Sequence, residues 1–442
     1  MIRDRRAILA LLTALNLLNY LDRYVIAAVL DPMTRELALS DFRAGLLQSA
    51  FLIGYFVTSP LFGARADKAS RKGLIAFGIA IWSLATAGSG LASGFWSLLI
   101  ARTVVGVGEA SFVSLAPTII DDLTSPDRKA KALAVFYAAT PLGSALGYMM
   151  GGAIAHRWGW RASFLVAGGP GLVLALLCLM IAEPSRKLAN TRAKLLDGLR
   201  VVTSIPLFRR ATLGYCAYTA AVGAFSYWAP TFLLEQFPDE LNVKTANFWF
   251  GVVLVPAGIL STLVGGWWAD RAVRKLPPAA ADAPYDAPEH KAAVNALLRI
   301  CALGMVFATP LAALGFVVGR PAAFFVIAFF VELGLFVSTS PVNAAFLRAV
   351  PPERRASAMA ASVFAIHLLG DLWSPPGLGL LKKALPDHIA LAMMAIPLTF
   401  AASAYLWWPR QREAAGPAAS APHSPEAAGA GGLPEAQVHA KT

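Results

Sequence analysis

The sequence predicts an all-α membrane protein with twelve transmembrane helices arranged as two six-helix bundles. Three observations carry that reading: an apolar composition, apolar runs of nearly constant length, and a motif that occurs once in each half. Of the 442 residues, 57% are hydrophobic and only 14% charged, whereas soluble domains carry about 25% charge. Such a chain has too little polar surface to face water on all sides.

Apolar runs long enough to cross a hydrocarbon core of about 30 Å occupy residues 8–30, 42–64, 73–93, 95–120, 132–155 and 161–182. After a polar stretch they resume at 211–234, 246–269, 294–318, 321–347, 356–381 and 388–408. Backbone groups cannot go unpaired in hydrocarbon, so runs of this length must be helices, and the alternation of a membrane β-barrel is absent. The first run follows Arg3, Arg5 and Arg6 in the manner of a secretory leader. It is long enough to span, however, and holds Asn16, Asn19, Asp22 and Arg23, so it reads as a retained helix. The expected division is an N-terminal bundle at 1–182, a linker at 183–210, a C-terminal bundle at 211–408 and a tail at 409–442.

The net charge is +12 and the sequence pI about 9.8. Lys and Arg stand in short clusters between the apolar runs and form no continuous stripe, which argues for topology charges and against nucleic acid. They concentrate at the N-terminus, in alternate loops and at the C-terminus. Both termini are therefore expected in the cytoplasm, at the inner membrane if the cell is bacterial. The linker reads as basic, with a short amphipathic helix near 193–202, and residues 276–292 read as a mobile loop rich in Pro and Ala. The Ala-, Gly- and Pro-rich tail after Pro409 is expected to be disordered. Cys178, Cys216 and Cys301 fall inside apolar runs, with neither disulfide nor zinc spacing, and read as packing residues.

Gly63-Ala64-Arg65-Ala66-Asp67-Lys68 follows the second run, and Gly265-Gly266-Trp267-Trp268-Ala269-Asp270-Arg271 follows the eighth. The echo indicates an internal repeat, each copy ending on an acid and a base at the boundary of the bilayer.

This glycine, aspartate and basic signature, continued by Ser70-Arg71-Lys72, resembles the loop motif of the major facilitator superfamily. Arg102-Thr103-Val104-Val105-Gly106-Val107-Gly108-Glu109-Ala110 is similar to that superfamily's arginine and glycine motif of the fourth span, and Trp158-Gly159-Trp160-Arg161 also matches. Within the superfamily the chain resembles the spinster group of lipid transporters. The resemblance rests on Asn19-Tyr20-Leu21-Asp22-Arg23, Gly108-Glu109-Ala110-Ser111-Phe112, Trp228-Ala229-Pro230, and above all His367-Leu368-Leu369-Gly370-Asp371 with Ser374-Pro375. It implies an amphiphilic substrate with an anionic or zwitterionic head, such as a lysophospholipid or sphingosine phosphate, carried with protons by alternating access, and a monomer among membrane lipids. In the fifth span Gly143, Gly147, Gly151 and Gly152 approximate an antiporter motif, but Tyr148 stands where its proline is expected, so export by antiport gains no support from it.

Ionisable groups inside apolar runs cost roughly 2.5–3.5 kcal/mol each on insertion scales and are the first functional candidates. At 1.5 Å per residue, Asp22 and Arg102 share a level about 10–12 Å from the outer ends of their spans, and Glu109 lies two turns deeper on nearly the same face as Arg102. Asp22, Glu109 and Arg102 are the expected proton-coupling set, with one arginine moving between two acids. Arg102, Tyr20, Arg23, Glu332, His367 and Asp371 are the expected substrate contacts, His367 and Asp371 as an i, i+4 pair and Glu332 by its depth, with Ser338 a possible partner. Phe51, Tyr55, Tyr137, Met149 and Tyr227 are further pocket candidates. Asp67, Arg71, Asp270 and Arg271 are expected to form a cytoplasmic gate latch.

Other classes fit poorly. A channel would bring rings of like charge or a filter segment, and an organic-anion symporter further cavity cations besides Arg23 and Arg102, although a few charges among apolar spans would also suit an organic anion or a hydrophobic drug, the alternative to the lipid. An enzyme needs a nucleophile with its base or a metal cluster, and the six histidines are scattered without such spacing. No metal and no cofactor are expected.

Overall fold

The computed structural model describes residues 2–66, 69–125, 128–182, 200, 204–277, 287–351, 354–386 and 388–410. Asp67, the expected amphipathic helix of the linker, most of the proline-rich loop and the tail after Arg410 lie outside these residues.

The N-terminal half consists of α1 (Arg5–Ala28), a short α2 (Leu30–Glu36), α3 (Asp41–Ala66), α4 (Arg71–Ser89), α5 (Phe95–Leu123), α6 (Lys129–Trp158) and α7 (Trp160–Leu179). The C-terminal half begins with α8 (Pro206–Gln236), α9 (Val243–Arg274) and α10 (Pro288–Gly315). Its tenth span is broken into α11 (Pro321–Phe336) and α12 (Thr339–Arg348), its eleventh into α13 (Arg355–Ile366) and α14 (Ser374–Ala384), and its twelfth into α15 (Ile389–Met393) and α16 (Ala395–Trp407). Among the described residues, ten segments are long and apolar enough to cross a membrane. The first and seventh, Arg5–Ala28 and Pro206–Gln236, match them in length at 24 and 31 residues and carry more polar and small residues. These ten and two make the twelve expected.

Local chemistry sets the ends. Proline opens α8, α10 and α11, where its missing N–H costs nothing. Ser70 accepts from the Gly73 N–H at the start of α4, and Asn242 with Thr245 forms a capping box on α9. Pro288 also corrects one expectation: residues 288–292, read as loop, are the first turn of α10. The first span ends at Ala28 and the chain turns at once into α2. There the Trp160 indole N–H donates to Glu36 at 2.6 Å and Arg161 pairs with it, and together they hold the Glu36 carboxyl below its ordinary range.

Glycine permits the closest helix contacts. A Cβ at Gly147 would stand 2.6 Å from the Leu21 carbonyl oxygen of span one, and one at Gly152 the same distance from the Val243 carbonyl of span eight. Tyr148, at the position where the antiporter motif has proline, donates to the Ser226 carbonyl of span seven at 2.5 Å and so ties the two halves together.

The face that holds the start of span one is called here the near face, and the other the far face. At the far face the halves meet through buried polar contacts. Asn247 Nδ2 donates to the Ala28 carbonyl at 3.0 Å, and the Tyr227 hydroxyl to the Ala44 carbonyl at 2.7 Å. Lys382, 6% exposed, reaches Asp41 of the other half at 3.2 Å and Glu235 of its own half at 2.9 Å. Its ammonium lies 4.5 Å from the Trp228 ring. Toward the near face the contact between halves narrows to aromatic rings: Phe56 meets Phe364 and His367 edge-on, at 5.8 and 5.2 Å between centroids.

Candidate functional site: a charged cavity between the halves

Between the far-face contacts and the Phe56 rings lies a partly open cavity with room of about 120 Å³. Spans one, two, seven and eleven line it, with Arg23, Gln48, Phe51, Tyr227, His367 and Asp371 supplying its chemistry. Span one contributes Arg23, Tyr24 and Ala27 to this wall, while its other polar residues Asn16, Asn19 and Asp22 are buried inside the N-terminal half.

Arg23 projects from span one and places Nη2 2.6 Å from Glu109 Oε2 of span four. The Arg23 side chain is 19% exposed and Glu109 is fully buried. The guanidinium also lies 5.0, 4.9 and 5.7 Å from the rings of Tyr20, Phe51 and Tyr55, an aromatic cage that holds a planar cation through cation–π contact. Arg102 approaches Phe51 at 5.0 Å, so one phenyl ring serves two guanidiniums. All three Arg102 nitrogens are buried without a hydrogen-bond partner among the described residues, and the Asp22 carboxylate has none there other than the Trp82 indole N–H. Asp22 stands within electrostatic reach of Glu109, Arg102 and the Trp82 indole N–H. The geometry thus puts Arg23, rather than Arg102, on Glu109. Arg102 stands behind the cavity wall, within electrostatic reach of Glu109 and Asp22 but with no hydrogen bond to either.

On the opposite wall the sequence His367–Asp371 forms a single π-helical turn, closed by the Leu372 N–H donating to the His367 carbonyl at 3.1 Å. Such wide turns favour functional sites because they push side chains out of helical register. His367 Nδ1 lies 3.0 and 2.9 Å from the two Asp371 oxygens, and both side chains remain partly open to the cavity. Gly223 of span seven lets the turn approach, since a Cβ there would meet Asp371 Cβ at 2.6 Å.

The remaining candidates fall elsewhere. Glu332 is buried in span ten with Oε2 unpartnered, beside Tyr148 and outside the cavity lining, and Ser338 donates instead to the Cys301 carbonyl. Tyr137 is half exposed against Phe136, and Met149 packs on Gly251 at the seam of spans five and eight. Arg71 pairs with Asp122 at 2.7 Å inside its own half. Among the described residues Asp270 pairs with Arg274, at 3.9 Å on the same helix, and Arg271 lies exposed over Trp267. Among the described residues, Arg71, Asp270 and Arg271 show no ion pair across the halves in this conformation. The cross-half ion pair is at the far face, on Asp41 and Lys382, which sequence reasoning missed. Its signal was an acid opening span two and a lysine closing span eleven. No metal-ligating cluster is present among the described residues, and the three cysteines are buried and free.

The fold and site can now be set beside known proteins. The Major Facilitator Superfamily model matches residues 12–375. Protein spinster homolog 1 of Homo sapiens is 33% identical over 402 residues, covering 86% of this chain and 73% of the human one. Protein spinster of Drosophila melanogaster is 32% identical over 389 residues, and this chain spans 61% of its length. Among solved structures, a bacterial homolog to the human lysosomal transporter spinster, in an inward-facing and unoccupied conformation, superposes with a TM-score of 0.77 at 20% identity, covering 91% of this chain and 96% of that one. A D-xylose–proton symporter superposes at 0.71 and 17% identity, over 91% and 96% of the two chains. Coverage of this extent by sequence and by fold places the protein in a family of transporters and outside the enzymes: the chain belongs to the major facilitator superfamily and, within it, is a spinster-like transporter.

Proposed function

We propose that the protein moves an amphiphilic, lipid-like substrate with an anionic or zwitterionic head, of the lysophospholipid or sphingosine phosphate class, by proton-coupled alternating access. The observation that carries this reading is the Arg23–Glu109 pair at the cavity wall, facing the His367–Asp371 pair across an apolar and aromatic lining. A headgroup phosphate arriving at Arg23 competes with Glu109 for the guanidinium. Glu109 then loses its counter-charge in a buried site and takes up a proton, so that substrate and proton bind together. Arg102 and Asp22 stand behind this pair, Arg102 as a second attraction for the anion and Asp22 as a second proton acceptor. The His367–Asp371 pair offers a cationic headgroup its carboxylate.

By the loop charges, the near face is cytoplasmic, and this conformation is inward-facing. Asp41, Lys382 and Glu235 then lock the outer gate, while Asp67, Arg71, Asp270 and Arg271 form the cytoplasmic latch of the opposite conformation. The human and fly relatives bear the spinster name, and the bacterial structure is described as a homolog of a lysosomal transporter; both support a transporter reading, and the lipid class rests on the motif resemblance and the cavity chemistry. A small organic anion or a hydrophobic drug is the alternative, since two arginines suit any anion and the lining suits any apolar body.

Uptake of radiolabelled lysophospholipid, sphingosine phosphate and an organic anion by proteoliposomes, with and without a pH gradient, separates these readings. Gradient-driven lipid uptake that Arg23→Ala abolishes supports the lipid reading. Uptake of the organic anion alone supports the alternative.

A further inference from the structure

We infer that a file of buried polar groups inside the N-terminal half, running from Thr86 past Ser83 and Trp82 to Asp22 and Asn19, is a proton path to the coupling carboxylates from the far face, separate from the central cavity. The inference rests on the proton-coupled reading above and adds the route to it.

Thr86 Oγ1 and Ser83 Oγ of span three, both amide atoms of Asn19 of span one and Glu109 Oε1 of span four are buried with no hydrogen-bond partner among the described residues; the Trp82 indole N–H and the Asp22 carboxylate, likewise buried, have no hydrogen-bond partner there other than each other. Thr86 is 1% exposed and the other five side chains 0%. Buried polar atoms are almost always paired, and each left unpaired costs roughly 1–3 kcal/mol. So many in one place are stable only if bound water bridges them.

Their order along the membrane normal is that of a conduit. At 1.5 Å per residue from the far-face ends of their helices, Thr86 lies at about 4.5 Å, Ser83 and Asp22 at about 9 Å, Trp82 at about 10 Å, Asn19 at about 13 Å and Glu109 at about 21 Å. Thr86 and Ser83 are one turn apart on span three, as Asn19 and Asp22 are on span one. Gly171 of span six lets spans one and three come together there, since a Cβ on it would stand 1.9 Å from Ser83 Oγ and 3.4 Å from Leu18 Cδ2. The charged groups facing Asp22 are Arg102 and Glu109, and the one facing Glu109 across the wall is Arg23.

Among the described residues the C-terminal half has no counterpart. Its buried hydroxyls at Thr212, Ser338, Ser362 and Ser403 donate to backbone carbonyls. Its unpartnered groups at Thr231, Asn247, Asn295, Glu332 and Ser374 lie one to a span over five spans, whereas those of the file gather on three. A pathway therefore belongs to the half that carries the carboxylates. A proton entering at the far face passes between waters held by the Thr86 and Ser83 hydroxyls and rests on an Asp22 oxygen. Only O–H bonds are made and broken. It moves on to Glu109 when substrate draws Arg23 away.

Hydroxyl-radical footprinting, which marks side chains beside bound water, tests the hydration, with gradient-driven uptake as the functional arm. Trp228 and Trp407 are internal controls, buried like Trp82 but with their indole N–H groups donating to the Pro375 and Ala211 carbonyls at 2.9 and 3.1 Å. Expected are strong modification of Trp82 against those controls, and a roughly tenfold loss of gradient-driven uptake in Thr86→Val and Ser83→Ala. Ser89→Ala, whose hydroxyl is already paired with the Ala85 carbonyl, should retain the gradient response. An unmodified Trp82 overturns the path. So does a full gradient response in Thr86→Val and Ser83→Ala when Asp22→Asn loses it, in which case the coupling carboxylates stand without this route. A gradient response that survives both Asp22→Asn and Glu109→Gln overturns the coupling reading and the path with it.

Discussion

Arg23 Nη2 sits 2.6 Å from Glu109 Oε2, joining span one to span four at the wall of the central cavity while Arg102, on the same span as Glu109, is left without a hydrogen-bond partner. A paired arginine at the cavity and an unpaired one behind it give the anion two successive attractions. Removing either member of the pair strands a charge in a buried site, at a cost of about 3–5 kcal/mol. Arg23→Leu and Glu109→Leu should each lower thermal stability, and the double variant should recover much of the loss. A double variant as unstable as the sum of the singles would show that the pair is not coupled.

The His367–Asp371 pair predicts non-additive kinetics. Each oxygen of Asp371 lies about as far from Nδ1 as the other, so the carboxylate fixes both the ring orientation and its Nδ1–H. His367→Gln and Asp371→Asn should each reduce transport, and the double variant little further. Losses that multiply would mean the two side chains act independently.

Lys382 predicts a shift in conformation. It is the far-face cation shared by Asp41 and Glu235, and on opening it would keep Glu235 and the Trp228 ring while losing Asp41. Asp41→Asn should therefore raise the population open at the far face severalfold. The separation of spin labels at Leu91 and Val317, both exposed far-face positions, reads that population. An unchanged distance distribution would remove the pair from the gate.

Glu36 predicts a pH dependence outside the bilayer. Trp160 and Arg161 lower its carboxyl in the folded state, so the stabilisation is present above the ordinary glutamate value of about 4.3 and fades as pH falls through the lowered one. Glu36→Gln should melt earlier than the native protein at neutral pH, with the difference closing in acid. A difference that does not change with pH would assign the effect to packing.

Much of this was legible in the sequence, and the exceptions have physical causes. The spans could be read because the bilayer fixes both their length and their polarity; their ends shifted by a few residues where caps or proline decide, as at Pro206 and Pro288. Depth along a helix correctly put Asp22, Arg102 and Glu109 in one neighbourhood, since rise per residue is nearly constant. Depth does not tell which arginine turns toward an acid. Arg23 points to the cavity and reaches across to Glu109, a matter of helix rotation set by the glycine contacts of span five. The π-helical turn at His367–Asp371 was hidden for a related reason, because an i, i+4 spacing reads as an ordinary helix until the backbone widens. The far-face contact of Asp41 with Lys382 joins residues 341 apart in sequence, and no local pattern announces it.

The account turns on Glu109 exchanging Arg23 for a proton when an anionic headgroup arrives. Its most direct test is lysophospholipid uptake by proteoliposomes over a range of imposed pH gradients, native protein against Glu109→Gln. The exchange predicts uptake that rises with the gradient in the native protein and is flat in Glu109→Gln. Equal dependence on the gradient in both would contradict it.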